Sequence, residues 1–178
     1  MLKRSLLTCL ALCGCAYVNP QGVAQMSAFS PLTTDPAELR AVVSLPMGVE
    51  IPPNGAVLTF AATRSDTGDV VEAMFALMQQ QTAQGADIVQ MAAADADANR
   101  AVQRKIAEWE VAAPDETRGS FSISVAACRV GDGPPEDATF SVALATTEDG
   151  RFIPLVEDAP IKDALALAEG GPNQNKCG

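Results

Sequence analysis

Short apolar runs that alternate with period two, each closed by turn-forming residues, constrain this chain more than any other feature. Over residues 39–45 one face carries Leu39, Ala41, Val43 and Leu45; over 56–64 it carries Leu58, Phe60 and Ala62; over 69–78 it carries Val71, Ala73, Phe75 and Leu77. Side chains of a strand point alternately to its two faces, so each run reads as a half-buried strand. Pro52-Pro53-Asn54-Gly55 makes a turn between the first two, and Ser65-Asp66-Thr67-Gly68 closes a hairpin between the second and third. Later runs repeat the pattern with Phe121, Ile123, Val125 and Ala127, then with Phe140, Val142 and Leu144. Glu148-Asp149-Gly150 turns into a further run over 151–156, and residues 88–91 add a seventh.

Residues 95–110 break that period. They contain no Gly or Pro and place Ala98, Val102, Ile106 and Trp109 at spacings of four, four and three. This predicts an amphipathic helix of about four turns, with Asp95 or Asp97 near its positive N-terminal end and Trp109, the single tryptophan, pinning it to the sheet. The expected fold is mainly β: a two-sheet antiparallel sandwich of immunoglobulin-like or fibronectin-like architecture, with an α+β sheet and covering helix as the alternative. One domain over residues 37–168 is long enough to bury a core. Residues 15–36, with Pro20, Pro31 and Pro36 among small polar residues, read as a flexible tether, and 169–178 as a polar tail.

Residues 1–14 are organised like an export signal. Lys3 and Arg4 precede a short apolar run with Leu6, Leu7, Leu10 and Leu12, far short of the roughly 20 residues a membrane-spanning helix needs. The run ends in Leu12-Cys13-Gly14-Cys15, which resembles the lipobox of bacterial lipoprotein precursors: an aliphatic residue, a variable one, a small one and the cysteine to be modified. The resemblance implies a diacylglyceryl group on Cys15, cleavage before it, and a mature chain that starts there. Ala16 rather than Asp follows, which by the same resemblance implies the periplasmic face of the outer membrane over the inner membrane. Acyl chains stabilise such an anchor by about 0.8 kcal/mol per buried CH2. Loss of Lys3 and Arg4 leaves 10 basic against 22 acidic side chains, a balance of −12, so an anionic lipid surface repels the domain that the anchor holds.

Two cysteines remain, Cys128 and Cys177. An oxidising compartment favours a disulfide between them. Continuing the alternation of Ser120, Ser122 and Ser124 puts Cys128 on the polar face of its strand, where the tail that ends in Cys177-Gly178 could reach it.

Composition removes most common chemistries. With no histidine there is no Ser-His-Asp or Cys-His pair and no imidazole metal ligand. A net charge of −10 argues against nucleic acid as a partner, since such binding depends on Lys and Arg neutralising phosphates. Asp95-Ala96-Asp97-Ala98-Asn99 imitates the start of a calcium loop, but the sixth position is Arg100 and the twelfth Ile106 where Gly and Glu are needed. Glu108, Glu110, Asp115 and Glu116 flank a helix-to-strand connection and read as a solvated acidic rim. Ser-Lys catalysis would need Lys105, Lys162 or Lys176 desolvated beside a serine, and no motif places one there. Gly131-Asp132-Gly133-Pro134-Pro135 is a turn without the lysine of a phosphate loop.

No catalytic residue, cofactor or metal is expected. The sequence points to a lipid-anchored cell-envelope lipoprotein, attached to the membrane through Cys15, that works as a binding or assembly module for an envelope protein partner. The alternatives are an envelope hydrolase with paired carboxylates drawn from the acidic rim, which requires two desolvated carboxyls converging in a pocket, and a small-ligand sensor, which requires a sizeable apolar cavity.

Overall fold

A computed structural model of the protein describes residues 17–146, 150–167 and 177. The expected signal peptide, Cys15, the Glu148-Asp149 part of the last turn and most of the polar tail lie outside the described residues.

The strands are β1 (Arg40–Ser44), β2 (Val49–Glu50), β3 (Ala56–Arg64), β4 (Val70–Gln81), β5 (Asp87–Met91), β6 (Thr117–Val125), β7 (Cys128–Arg129), β8 (Thr139–Ala145) and β9 (Ile153–Pro160). The helices are α1 (Pro20–Gln25), α2 (Ala93–Ala112) and α3 (Ile161–Leu167). Seven strands form one curled antiparallel sheet in the order β6-β3-β4-β5-β1-β8-β9, and β2 pairs with β7 in a small second sheet. The mainly β class and the long amphipathic helix are those predicted.

The sheet has two halves that share one strand. Residues Val70 to Ala76 of β4 pair with β3, and Leu77 to Gln81 pair with β5. β4 thus runs from one half into the other, as a strand does at the corner between two packed sheets. The predicted alternation is realised along it: Val71, Phe75 and Leu77 face the core together with Leu58 and Phe60 of β3, Val89 and Met91 of β5, and Ala41 and Val43 of β1. Burying each large side chain of this set contributes about 1.5–3 kcal/mol.

α2 lies over β3, β4 and β6. Ala96, Asn99, Gln103, Ile106 and Trp109 are buried on its inner face, with Trp109 7% exposed. Of the predicted stripe Ile106 and Trp109 hold and Val102 is half-buried, but Ala98 is exposed and Gln103 faces inward, where the Pro31 and Thr34 carbonyls take its amide. Its first turn carries Asp95, where a carboxylate is favoured by the helix dipole. The Thr117 hydroxyl lies 3.0 Å from the Trp109 carbonyl and 2.8 Å from that of Ala113 and donates into the last turn, closing the helix onto the start of β6.

The tether reading is corrected from residue 17 onward. Val18 forms a β-bridge with Val156, the Asn19 N–H donates to the Leu155 carbonyl at 2.9 Å, and the Glu157 N–H donates to the Tyr17 carbonyl at 3.0 Å. Pro20, within the expected tether, opens α1 instead, where its missing N–H is no loss, and the Asn19 side chain caps the helix through the Gly22 N–H at 2.9 Å. A Cβ on Gly22 would meet the Pro154 carbonyl oxygen at 1.8 Å, so α1 approaches β9 as closely as only glycine permits. Met26, Phe29 and Leu32 then pack against the core. Phe29 meets Phe121 edge-on, with ring centroids 5.5 Å apart. Gln103 of α2 donates to the carbonyls of Pro31 (2.7 Å) and Thr34 (2.8 Å), and Arg100 grips the Asp35 carboxylate. Residues 29–36 are therefore a strap across the core.

Candidate functional site

β6 is the edge of the sheet that the described residues leave open. Its sequence, Thr-Arg-Gly-Ser-Phe-Ser-Ile-Ser-Val, has one charge, at Arg118, and no proline. In an antiparallel ladder the N–H and C=O of a residue point to the same side, and that side alternates along the strand. The Ala126 N–H donates to the Gly55 carbonyl at 2.7 Å, and the Ser65 N–H to the Glu116 carbonyl at 3.0 Å. These two bonds assign the even-numbered residues of β6 to the inward ladder with β3. Gly119, Phe121, Ile123 and Val125 therefore turn their backbone groups outward, and among the described residues nothing pairs with that row.

Neighbouring side chains hold the row in place. Phe121 is wedged between Phe29 and Phe60, at centroid distances of 5.5 and 5.1 Å. At Gly119 a Cβ would have Ile106 and Glu110 of α2 3.8 Å away, so the helix covers the inner side of the strand. Ser120, Ser122 and Ser124 are exposed on the other face, as the alternation predicted. The opposite edge of the sheet is different, because residues 17–19 already bond to β9. Edge strands commonly carry charges, prolines or bulges that discourage pairing, and residues 119–125 carry none of the first two. That absence was the available sequence signal for the site, and it becomes meaningful only once the strand is known to be an edge.

The other candidate residues are distributed around this frame. Cys128 and Cys177 are joined by a disulfide, with their Cα atoms 5.1 Å apart. Cys128 stands outside the main core cluster, where the tail reaches it, but unlike the exposed serines it is buried, in a new short strand that begins after residues 126 and 127 leave β6. The Cys177 N–H donates to the Arg129 carbonyl at 3.0 Å, which adds the end of the chain to the β2–β7 sheet. Beneath that sheet Val49, Ile161 and Leu165 form a second apolar cluster.

Glu108, Glu110, Asp115 and Glu116 are all exposed; Glu116 accepts a hydrogen bond from the Ser65 hydroxyl. Asp95 and Asp97 lie in the first turns of α2, and Asp97 pairs with Arg100 at 2.7 Å. Lys105 sits over the Trp109 ring at 5.3 Å, and Lys162 is exposed on α3. Lys176 lies outside the described residues. The Asp35 carboxyl is held below the usual aspartate range by the Ala37 N–H, with partial burial opposing and the Arg100 guanidinium assisting.

Beneath the strap is a cavity of about 10 Å³ lined by Phe29, Leu39, Leu58, Phe60, Gln103 and Phe121 among others, room for a single water. A shallow surface groove of about 460 Å³ runs between the Pro52-Pro53-Asn54-Gly55 turn and the second half of β4. None of the four acidic-rim carboxylates lines either space. Among the described residues no helix is long and apolar enough to cross a membrane. No family model matches the chain, and comparisons with curated proteins and with solved structures also gave no match.

Proposed function

We propose that this protein is a lipid-anchored module of the cell envelope, attached through Cys15 at the periplasmic face of the outer membrane, that recruits an envelope protein by strand addition to β6. The observation that carries the reading is the outward row of N–H and C=O groups at Gly119, Phe121, Ile123 and Val125. An extended segment laid against that row would make main-chain hydrogen bonds, each worth about 0.5–1.5 kcal/mol net. The exposed serines alongside are small enough to admit the partner's side chains, and the row is held rigid by the Phe29-Phe121-Phe60 stack and by α2. Little backbone ordering is then needed on this side when a partner binds.

The test places a photoreactive amino acid at Ser122 in the lipidated protein in intact cells, with the same probe at Met74, which is exposed on β4, as the comparison. One adduct specific to Ser122 is expected. It should disappear when Ile123→Pro removes an outward N–H, because an edge strand tolerates proline where its N–H faces solvent. Circular dichroism checks that this variant keeps its fold. Equal capture at both positions, or an adduct that survives in a folded Ile123→Pro protein, would sink the reading.

A further inference from the structure

We infer that the segment on β9 is held flat against the bilayer, with Tyr17, Val18 and Val23 as its lipid-facing side chains. The inference rests on the proposed acylation of Cys15 and concerns what the fold then requires. Only Ala16 separates Cys15 from Tyr17, and those two chain steps reach at most about 7 Å. Tyr17 is not free to swing away, since its carbonyl accepts the Glu157 N–H and the next residue is bridged to Val156. The acyl chains and the outer edge of β9 are therefore neighbours, and no slack exists in which the domain could turn over.

The surface at that place is suited to the contact. Tyr17, Val18 and Val23 are 43%, 41% and 51% exposed, three apolar or amphipathic side chains within seven residues. Tyr at such a position has a body that enters the acyl boundary and a hydroxyl that stays with the headgroups. Glu157, which accepts a hydrogen bond from the Asn19 side chain, and Asp158 are exposed nearby and favour water, so the contact is shallow and depends on the anchor.

The experiment uses the lipidated full-length protein in vesicles of phosphatidylethanolamine and phosphatidylglycerol, with a photoreactive amino acid in place of Val23 or of Val111. Val111 is an exposed apolar residue near the C-terminal end of α2, which closes onto β6. Intact-mass measurement first establishes whether Cys15 carries acyl groups. Phospholipid adducts are expected at position 23 and not at 111. A spacer of about ten Gly and Ser residues inserted after Cys15, about 18 Å in root-mean-square length, should cause loss of the adducts at 23 while leaving the acyl mass unchanged. Acylated protein with equal labelling at the two positions, or labelling at 23 that the spacer does not reduce, overturns the inference and leaves the anchor standing. Absence of the acyl mass overturns the anchor and the inference together.

Discussion

Gly22 stands so close to Pro154 that a Cβ on the first would lie 1.8 Å from the carbonyl oxygen of the second. This is the tightest point at which the N-terminal segment meets the last strand. Gly22→Ala has to push α1 off β9, at about 1–3 kcal/mol as for other overpacked contacts. The Asn19 amide, bonded to Leu155 at 2.9 Å, should then exchange with solvent much faster, while the amides of β3 stay protected. Unchanged exchange at Asn19 would show that α1 is not seated there.

The Asp35–Arg100 pair gives the strap a defined response to acid. Arg100 reaches both carboxylate oxygens, at 2.8 and 3.0 Å, and the Ala37 N–H donates to one of them at 3.0 Å. The Asp35 pKa is lowered in the folded protein, so its contribution is fully present above the ordinary aspartate value and is lost as pH falls through the lowered one. Both side chains are more than a third exposed, so solvent screening limits the pair to under about 1 kcal/mol. In an NMR titration the Ala37 amide should move with a midpoint below that of an ordinary aspartate and stay flat in Asp35→Asn. A midpoint at or above the ordinary value would contradict this.

The Cys128–Cys177 bond closes a loop of sequence separation 49, which in the loop-entropy model stabilises the fold by about 4 kcal/mol. Cys177→Ser should lower the stability to urea by an amount of that order. Because the bond ties down the β2–β7 sheet, the amides of residues 128 and 130 should lose protection first. A variant as stable as the parent would show that the closure contributes nothing.

Asn99 is 0% exposed on the inner side of α2, and neither its amide nitrogen nor its oxygen has a partner among the described residues. A buried amide in that state costs about 1–3 kcal/mol. Asn99→Leu keeps the side-chain branching and raises helix propensity, so the melting temperature should rise. A fall would mean that the amide is satisfied in solution or that the site cannot accept the extra volume.

How much of this was legible in the sequence depended on how local each contact is. Leu58, Phe60 and Ala62, and Val71, Phe75 and Leu77, announced their strands because each run buries one face, a property of neighbours two apart. Trp109 and Ile106 announced their helix by a spacing of three, although Ala98, put on the same face, is exposed. The end of β4 did not, because Gln79, Gln80 and Gln81 pair with β5 without an apolar pattern. Val18, Val23, Met26, Phe29 and Leu32 are too sparse to show a period, and their partners are as far off as Phe121 and Val156. The burial of Cys128 did not show, because Ala126 and Ala127 step out of the strand and a new one begins. The open row on β6 required two facts that no local pattern contains: which strands pair with β3, and that nothing described pairs beyond β6.

Docking residues 17–19 onto β9 also sets an order of assembly. A chain is made from its N-terminus, and the β3–β4 hairpin and its pairing with β6 can form from residues 56–125 alone. Residues 29–36 find their partners once α2 and β6 are made, whereas residues 17–19 find theirs only when residues 153–157 have followed. A nascent chain, or one shortened before residue 153, would therefore leave residues 17–19 without their strand partners, and these residues would be the last to become protected from proteases.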